Sequence, residues 1–171
     1  DLSWTAIPYT GDTGGYEVWQ GIPNVTEMVK DIWPGATGSI PFYLADMGGI
    51  LYFQADDGTN GEELWRSDGT VAGTFMVKDI YPGEHGSYPM KMTNVNGVLY
   101  FTADTGMNSN SYYELWKSDG TEAGTTLVKD IYPGFFGSWP DLMTDVGGIL
   151  YFVSDDGTNG KELWKSDGSE S

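Results

Sequence analysis

The 171 residues carry 25 acidic side chains against 8 basic ones, a formal net charge of −17, with no cysteine and a single histidine. This balance argues against nucleic acid and anionic membranes as partners, which need clustered Lys and Arg; the missing cysteine excludes disulfides, thiolate zinc sites and cysteine nucleophiles. At 39% hydrophobic and 15% aromatic the chain can fill a core, and no apolar run reaches the roughly 18–20 residues of a membrane-spanning helix.

In chain order, Asp1-Leu2-Ser3-Trp4 opens the sequence without an initiator Met or a secretory leader. We therefore expect a processed chain or a piece of a longer one. Leu2 to Ala6 matches Leu99 to Ala103, so the chain enters on the strand we label b. Glu17-Val18-Trp19 reads as a worn strand c, and Val29-Lys30-Asp31-Ile32 closes strand d. Asn24-Val25-Thr26 has the form of a glycosylation sequon, meaningful only in a glycosylating secretory route.

A full unit follows. Ile40 to Met47 is strand a, Gly48-Gly49 a turn, Ile50-Leu51-Tyr52-Phe53 strand b, Glu63-Leu64-Trp65-Arg66 strand c, and strand d ends in Val77-Lys78-Asp79-Ile80. The next unit repeats it: Pro89 to Val95, Asn96-Gly97, Val98 to Phe101, Glu114-Leu115-Trp116-Lys117, then Val128-Lys129-Asp130-Ile131. Asn-Gly between two apolar runs is a strong hairpin signal, and Pro133 after strand d supplies no ladder donor. The last unit holds Pro140 to Val146, Gly147-Gly148, Ile149 to Phe152 and Glu162-Leu163-Trp164-Lys165.

The tryptophans at 19, 65, 116 and 164 stand 46, 51 and 48 residues apart. Four short strands in such a period predict an all-β, propeller-like repeat of four-stranded antiparallel blades, about three and a half in this chain. Strand b is apolar on both faces, and adjacent Leu and Trp on strand c point to opposite faces. Both can be buried only with a layer on each side. The units are residues 1–35 (b-c-d), 36–83, 84–134 and 135–171 (a-b-c). That count of fourteen strands leaves open blades. It predicts a fragment of a longer array, or a homo-oligomer or polymer formed by strand or blade completion.

Glu114-Leu115-Trp116-Lys117-Ser118-Asp119-Gly120-Thr121, repeated from Glu63 and from Glu162, resembles the ELWxxDGT repeat family. The resemblance runs on through Glu122-Ala123-Gly124-Thr125 and Val128 to Gly134, covering nearly the whole chain. It implies an extracellular or cell-surface bacterial protein built of propeller-like repeats, with no catalytic residue to carry over. The first unit departs from the pattern, with Gln20-Gly21-Ile22-Pro23 in place of the Ser-Asp-Gly-Thr turn. The Gly-Gly-x-Leu-Tyr-Phe opening of strand b is similar, more weakly, to kelch-type blades.

Candidate sites lie in loops. Asp56, Asp57 and Asn60, with their twins Asp155, Asp156 and Asn159, supply oxygens on a glycine-containing turn, as calcium requires. The same residues also build turns by bonding their own backbone, and both readings stand. Between the glycines of a fixed Pro-Gly-x-x-Gly-Ser frame the residues vary: Ala36-Thr37, Glu84-His85, Phe135-Phe136. A variable pair in a constant frame predicts an exposed, partner-binding loop tip. Acids are abundant, but none is singled out for catalysis, and a triad would have to run through His85. The expected function is therefore a non-catalytic scaffold, self-assembly or adhesion module. A glycan-binding lectin is the alternative, and a polysaccharide hydrolase the third reading.

Overall fold

The computed structural model describes residues 26–106, 112–134 and 136–169. Strands b and c expected before residue 26, the Met107–Ser111 insertion and Phe135 lie outside the described residues.

Within them the chain is all β, with no helix. Eleven strands form three antiparallel meanders, none closed into a barrel. The first sheet is β1 (Phe42–Asp46), β2 (Leu51–Asp56), β3 (Glu62–Ser67) and β4 (Phe75–Lys78). The second is β5 (Met90–Val95), β6 (Val98–Asp104), β7 (Tyr113–Ser118) and β8 (Thr126–Lys129). The third is β9 (Asp141–Val146), β10 (Ile149–Asp155) and β11 (Lys161–Ser166). Their registers coincide: Phe53 faces Trp65, Phe101 faces Trp116 and Phe152 faces Trp164. At the β5–β6 turn Asn96 and Gly97 both have positive φ, 51° and 83°, as the two-residue hairpin turn matching the strand twist demands.

The sheets pack face to face. Leu64, Tyr52, Val77 and Ile80 of the first sheet form one core with Leu99, Phe101 and Ala103 of the second. Leu115, Tyr100, Val128 and Ile131 of the second repeat that core with Leu150 and Phe152 of the third. Trp65 lies on the opposite face from Leu64, with Phe53, Ala55 and Ile32. Adjacent Leu and Trp thus do face two layers. β5 also lies beside both β1 and β9, which places the first strands of the three sheets next to one another.

Polar bonds stitch the same seams. Lys30 Nζ donates to Thr74 O at 2.6 Å, and Lys78 Nζ to Thr125 O at 2.8 Å. Arg66 reaches Gly120 O, and Lys117 reaches Gly168 O. The turn glycines that receive these cations are pressed against tyrosine. A Cβ at Gly120 or at Gly168 would come within 2.2 Å of the hydroxyl of Tyr52 or Tyr100.

Strand ends differ from the sequence pattern for local reasons. Strand a starts two residues later than Ile40, because Ile40 has φ 43° and Pro41 has no N–H for the ladder. Tyr88 and Trp139 hold the same conformation before Pro89 and Pro140. Strand d stops at Lys78, short of Ile80, because the Ile80 N–H bonds a side chain rather than the ladder. Strand b runs on to Asp56, Asp104 and Asp155, whose N–H groups find Ser39 O, Ser87 O and Ser138 O in the linkers.

Candidate functional site

The Pro-Gly-x-x-Gly-Ser linker is held by the first residue of the Glu-Leu-Trp motif. Glu63 accepts from Ile80 N, Tyr81 N and Ser87 N at 3.0–3.1 Å and from Ser87 Oγ at 2.6 Å. Glu114 accepts from Ile131 N at 3.1 Å, Ser138 N at 2.8 Å and Ser138 Oγ. Both glutamates are buried. Burial pushes Glu63 up to about 7 against the downward pull of these bonds, and raises Glu114 for the same reason. The clamp folds the linker back over strand c, where Tyr88 N bonds Glu62 O and Trp139 N bonds Tyr113 O. The residues following the linker thereby start the next sheet.

The proposed calcium loops sit on the path of the preceding linker. Cβ atoms at Gly58, Gly106 and Gly157 would strike the rings of Trp33, Tyr81 and Tyr132, so each loop is a seat for one linker aromatic. Inside the loop, Asp56 Oδ1 accepts from Gly58 N, and Asp57 Oδ1 from Thr59 N and Asn60 N, while Asp57 Oδ2 accepts from Asn60 Nδ2. Asp155, Asp156 and Asn159 reproduce all four bonds. At Asp57 these bonds outweigh the upward effect of its partial burial, and they likewise hold Asp156 below the usual carboxylate range. Among the described residues no three His, Asp or Glu side chains are grouped to hold a metal.

Glu84 and His85 are exposed at their linker tip, with His85 tilted against Tyr81 at 6.0 Å. The backbone at His85 and Gly86 abuts Gly61, so this tip adjoins the Asp56–Asn60 loop. Phe136 is 65% exposed and leans on Tyr132 at 5.7 Å. Its neighbour Phe135 lies outside the described residues. Trp65 is buried, and Trp116 and Trp164 are partly buried in the sheet-to-sheet cores. The Ser-Asp-Gly-Thr turn is a closed network: Asp119 Oδ1 accepts from Thr121 N and Oγ1, and Thr121 Oγ1 accepts from Gly124 N.

The sequence pattern did not reveal a group of aromatics and acids around Tyr113. Trp139 lies 4.6 Å from the Tyr113 ring, and burial, with the negative charge of Glu62 nearby, raises the Tyr88 hydroxyl above its ordinary pKa. Burial, with Asp104, Tyr88, Tyr43 and Glu62 nearby, pushes Tyr113 up to about 12. Tyr43, Tyr88 and Trp139 are exposed and carry positive φ. The signal available beforehand was the large residue between Ser and Pro in Gly-Ser-x-Pro. Comparison with family models, with curated proteins and with solved structures finds no match.

Proposed function

We propose that this chain is a non-catalytic, extracellular repeat module of propeller-like build, which serves as a structural scaffold by assembling through its own sheet faces. One observation carries this. The sheet-to-sheet interface is used twice within the chain, and the third sheet presents the same surface uncovered: Leu64 is 0% exposed, Leu115 1% and Leu163 71%. The adjacency of β1, β5 and β9 is what a radial arrangement of blades requires of their inner strands. The resemblance to the ELWxxDGT repeats supports the same reading and its cell-surface setting. Light scattering on the purified chain tests it. We expect a species heavier than 18.7 kDa, and a strictly monomeric solution would refute the assembly role.

The exposed Tyr43, Tyr88 and Trp139, set beside Glu62 and Asp104, favour glycan binding as the second reading. Sugar rings stack on aromatic faces and donate hydroxyls to carboxylates. Screening on a broad glycan array decides it: binding lost in Trp139→Ala supports a lectin, and silence across the array removes it.

A further inference from the structure

The Glu clamp is built twice from parts lying close in sequence, and its third copy is split between the two ends of the described chain. Glu162 occupies in β11 the place of Glu63 and Glu114, pairs through its backbone with Ser154, and has an exposed carboxylate that accepts no hydrogen bond from the described residues. Ile32-Trp33-Pro34-Gly35-Ala36-Thr37-Gly38-Ser39 has the sequence of the linker that such a glutamate holds. Among the described residues no carboxylate engages it, and Glu17, the motif glutamate that precedes it in the sequence, lies outside them. The two halves cannot meet within one stack of three sheets. The 26–39 segment lies on the outer face of the first sheet, through Ile32 and the Lys30–Thr74 bond. Glu162 belongs to the third sheet, beyond the second.

We infer that Glu162 of one copy clamps the Ile32–Ser39 linker of a second copy, whose residues 26–30 pair with β11 as its missing fourth strand. This rests on the assembly reading above and names its partner as a second copy of the chain. The three described sheets of each of two chains then close a six-sheet ring, within the usual range for propellers.

The repeat dictates the rest of the seam. Trp65 pairs with Met76 and Trp116 with Leu127, so Trp164 pairs with Met28 of the second copy. Met28 is 74% exposed in the single chain. Arg66 pairs with Phe75 and Lys117 with Thr126, so Lys165 faces Glu27 of the second copy, a match of opposite charges. Ser67 bonds Thr74 and Ser118 bonds Thr125 through their hydroxyls at 2.7 Å. Ser166 and Thr26 of the second copy are the corresponding pair. The apolar side of the new seam already exists as a groove of about 240 Å³ on the first sheet, lined by Leu44, Leu51 and Phe53 beside Val29 and Ile32. Leu163 of the neighbouring copy fits there, as Leu115 fits against Leu150 and Phe152.

The test joins mass measurement with cross-linking. Wild-type chain should sediment as a dimer, and Glu162→Ala, at an exposed position, should keep its melting transition while weakening dimerisation at least about tenfold. Because the chain has no cysteine, Glu27→Cys protein mixed with Lys165→Cys protein should oxidise to a mixed disulfide dimer, while neither alone should do so in that register. A wild-type monomer would overturn both this seam and the assembly reading. A wild-type dimer that survives Glu162→Ala and yields no mixed disulfide would overturn the seam alone. So would loss of the dimer in Glu17→Ala with full retention in Glu162→Ala, which would assign the linker to Glu17.

Discussion

Glu63 shows how one side chain can hold two elements together. Its carboxylate takes three N–H groups and a hydroxyl at a bend where the backbone has left the ladder, so donors that burial would otherwise strand are satisfied. Burial raises its pKa from 4.5 to about 7, so the folded chain keeps a proton that the unfolded chain gives up. Its stabilising contribution is complete below the unfolded value and fades as pH rises through about 7. Glu114 adds in the same direction. Thermal melts should therefore show higher stability at pH 5 than at pH 8, by on the order of 2 kcal/mol. Below that range the trend reverses, because Asp119 and Asp167 sit below their ordinary values and lose their bonds on protonation. Glu63→Gln presents amide hydrogens to N–H donors; it should cost about 1–3 kcal/mol and flatten the profile between pH 5 and 8. This role was not legible in the sequence, where an acid at a strand start looks like any solvated charge. Only the recurrence of Glu and Ser twenty-four residues apart hints at the bond. The Asp-Asp-Gly loops were legible as turns, and their carboxylates are engaged with their own backbone. We expect chelator to leave the melting temperature unchanged; a fall on chelation would show that calcium stabilises these loops.

At the level of strands, the sheet is a repeating part with two working faces. Hairpin order, the Asn-Gly turn and the opposed Leu and Trp were readable from spacing and period, because each reflects local geometry or simple alternation. The strand ends were not readable. They depend on positive-φ residues before proline and on N–H groups diverted to a glutamate or a linker carbonyl. The bulges at Tyr43, Lys91 and Leu142, where the register slips in all three first strands, also lack a glycine to announce them. Leu115→Ala removes a side chain from the core between the second and third sheets and should cost about 2–5 kcal/mol by chemical denaturation. Gly120→Ala combines a φ of 88° with a Cβ 2.2 Å from the Tyr52 hydroxyl, whereas Gly69, with the same φ, meets nothing. Gly69→Ala should therefore cost roughly 1 kcal/mol of backbone strain, and Gly120→Ala clearly more. Equal losses would show that Tyr52 does not press on that turn.

For the molecule as a whole, charge and surface act against each other. A net charge of −17 keeps chains apart at long range, while the apolar groove on the first sheet and the uncovered Leu163 on the third favour contact. Association should therefore tighten as salt rises from low to physiological strength, the reverse of a contact driven by opposite net charges. Sedimentation at two salt concentrations reads this directly. The most direct measurement is single-particle imaging of the wild-type chain. Six sheets around one axis, with two-fold symmetry, is the predicted particle. Isolated three-sheet wedges, or a chain whose outer faces are already covered by its own residues, would contradict it.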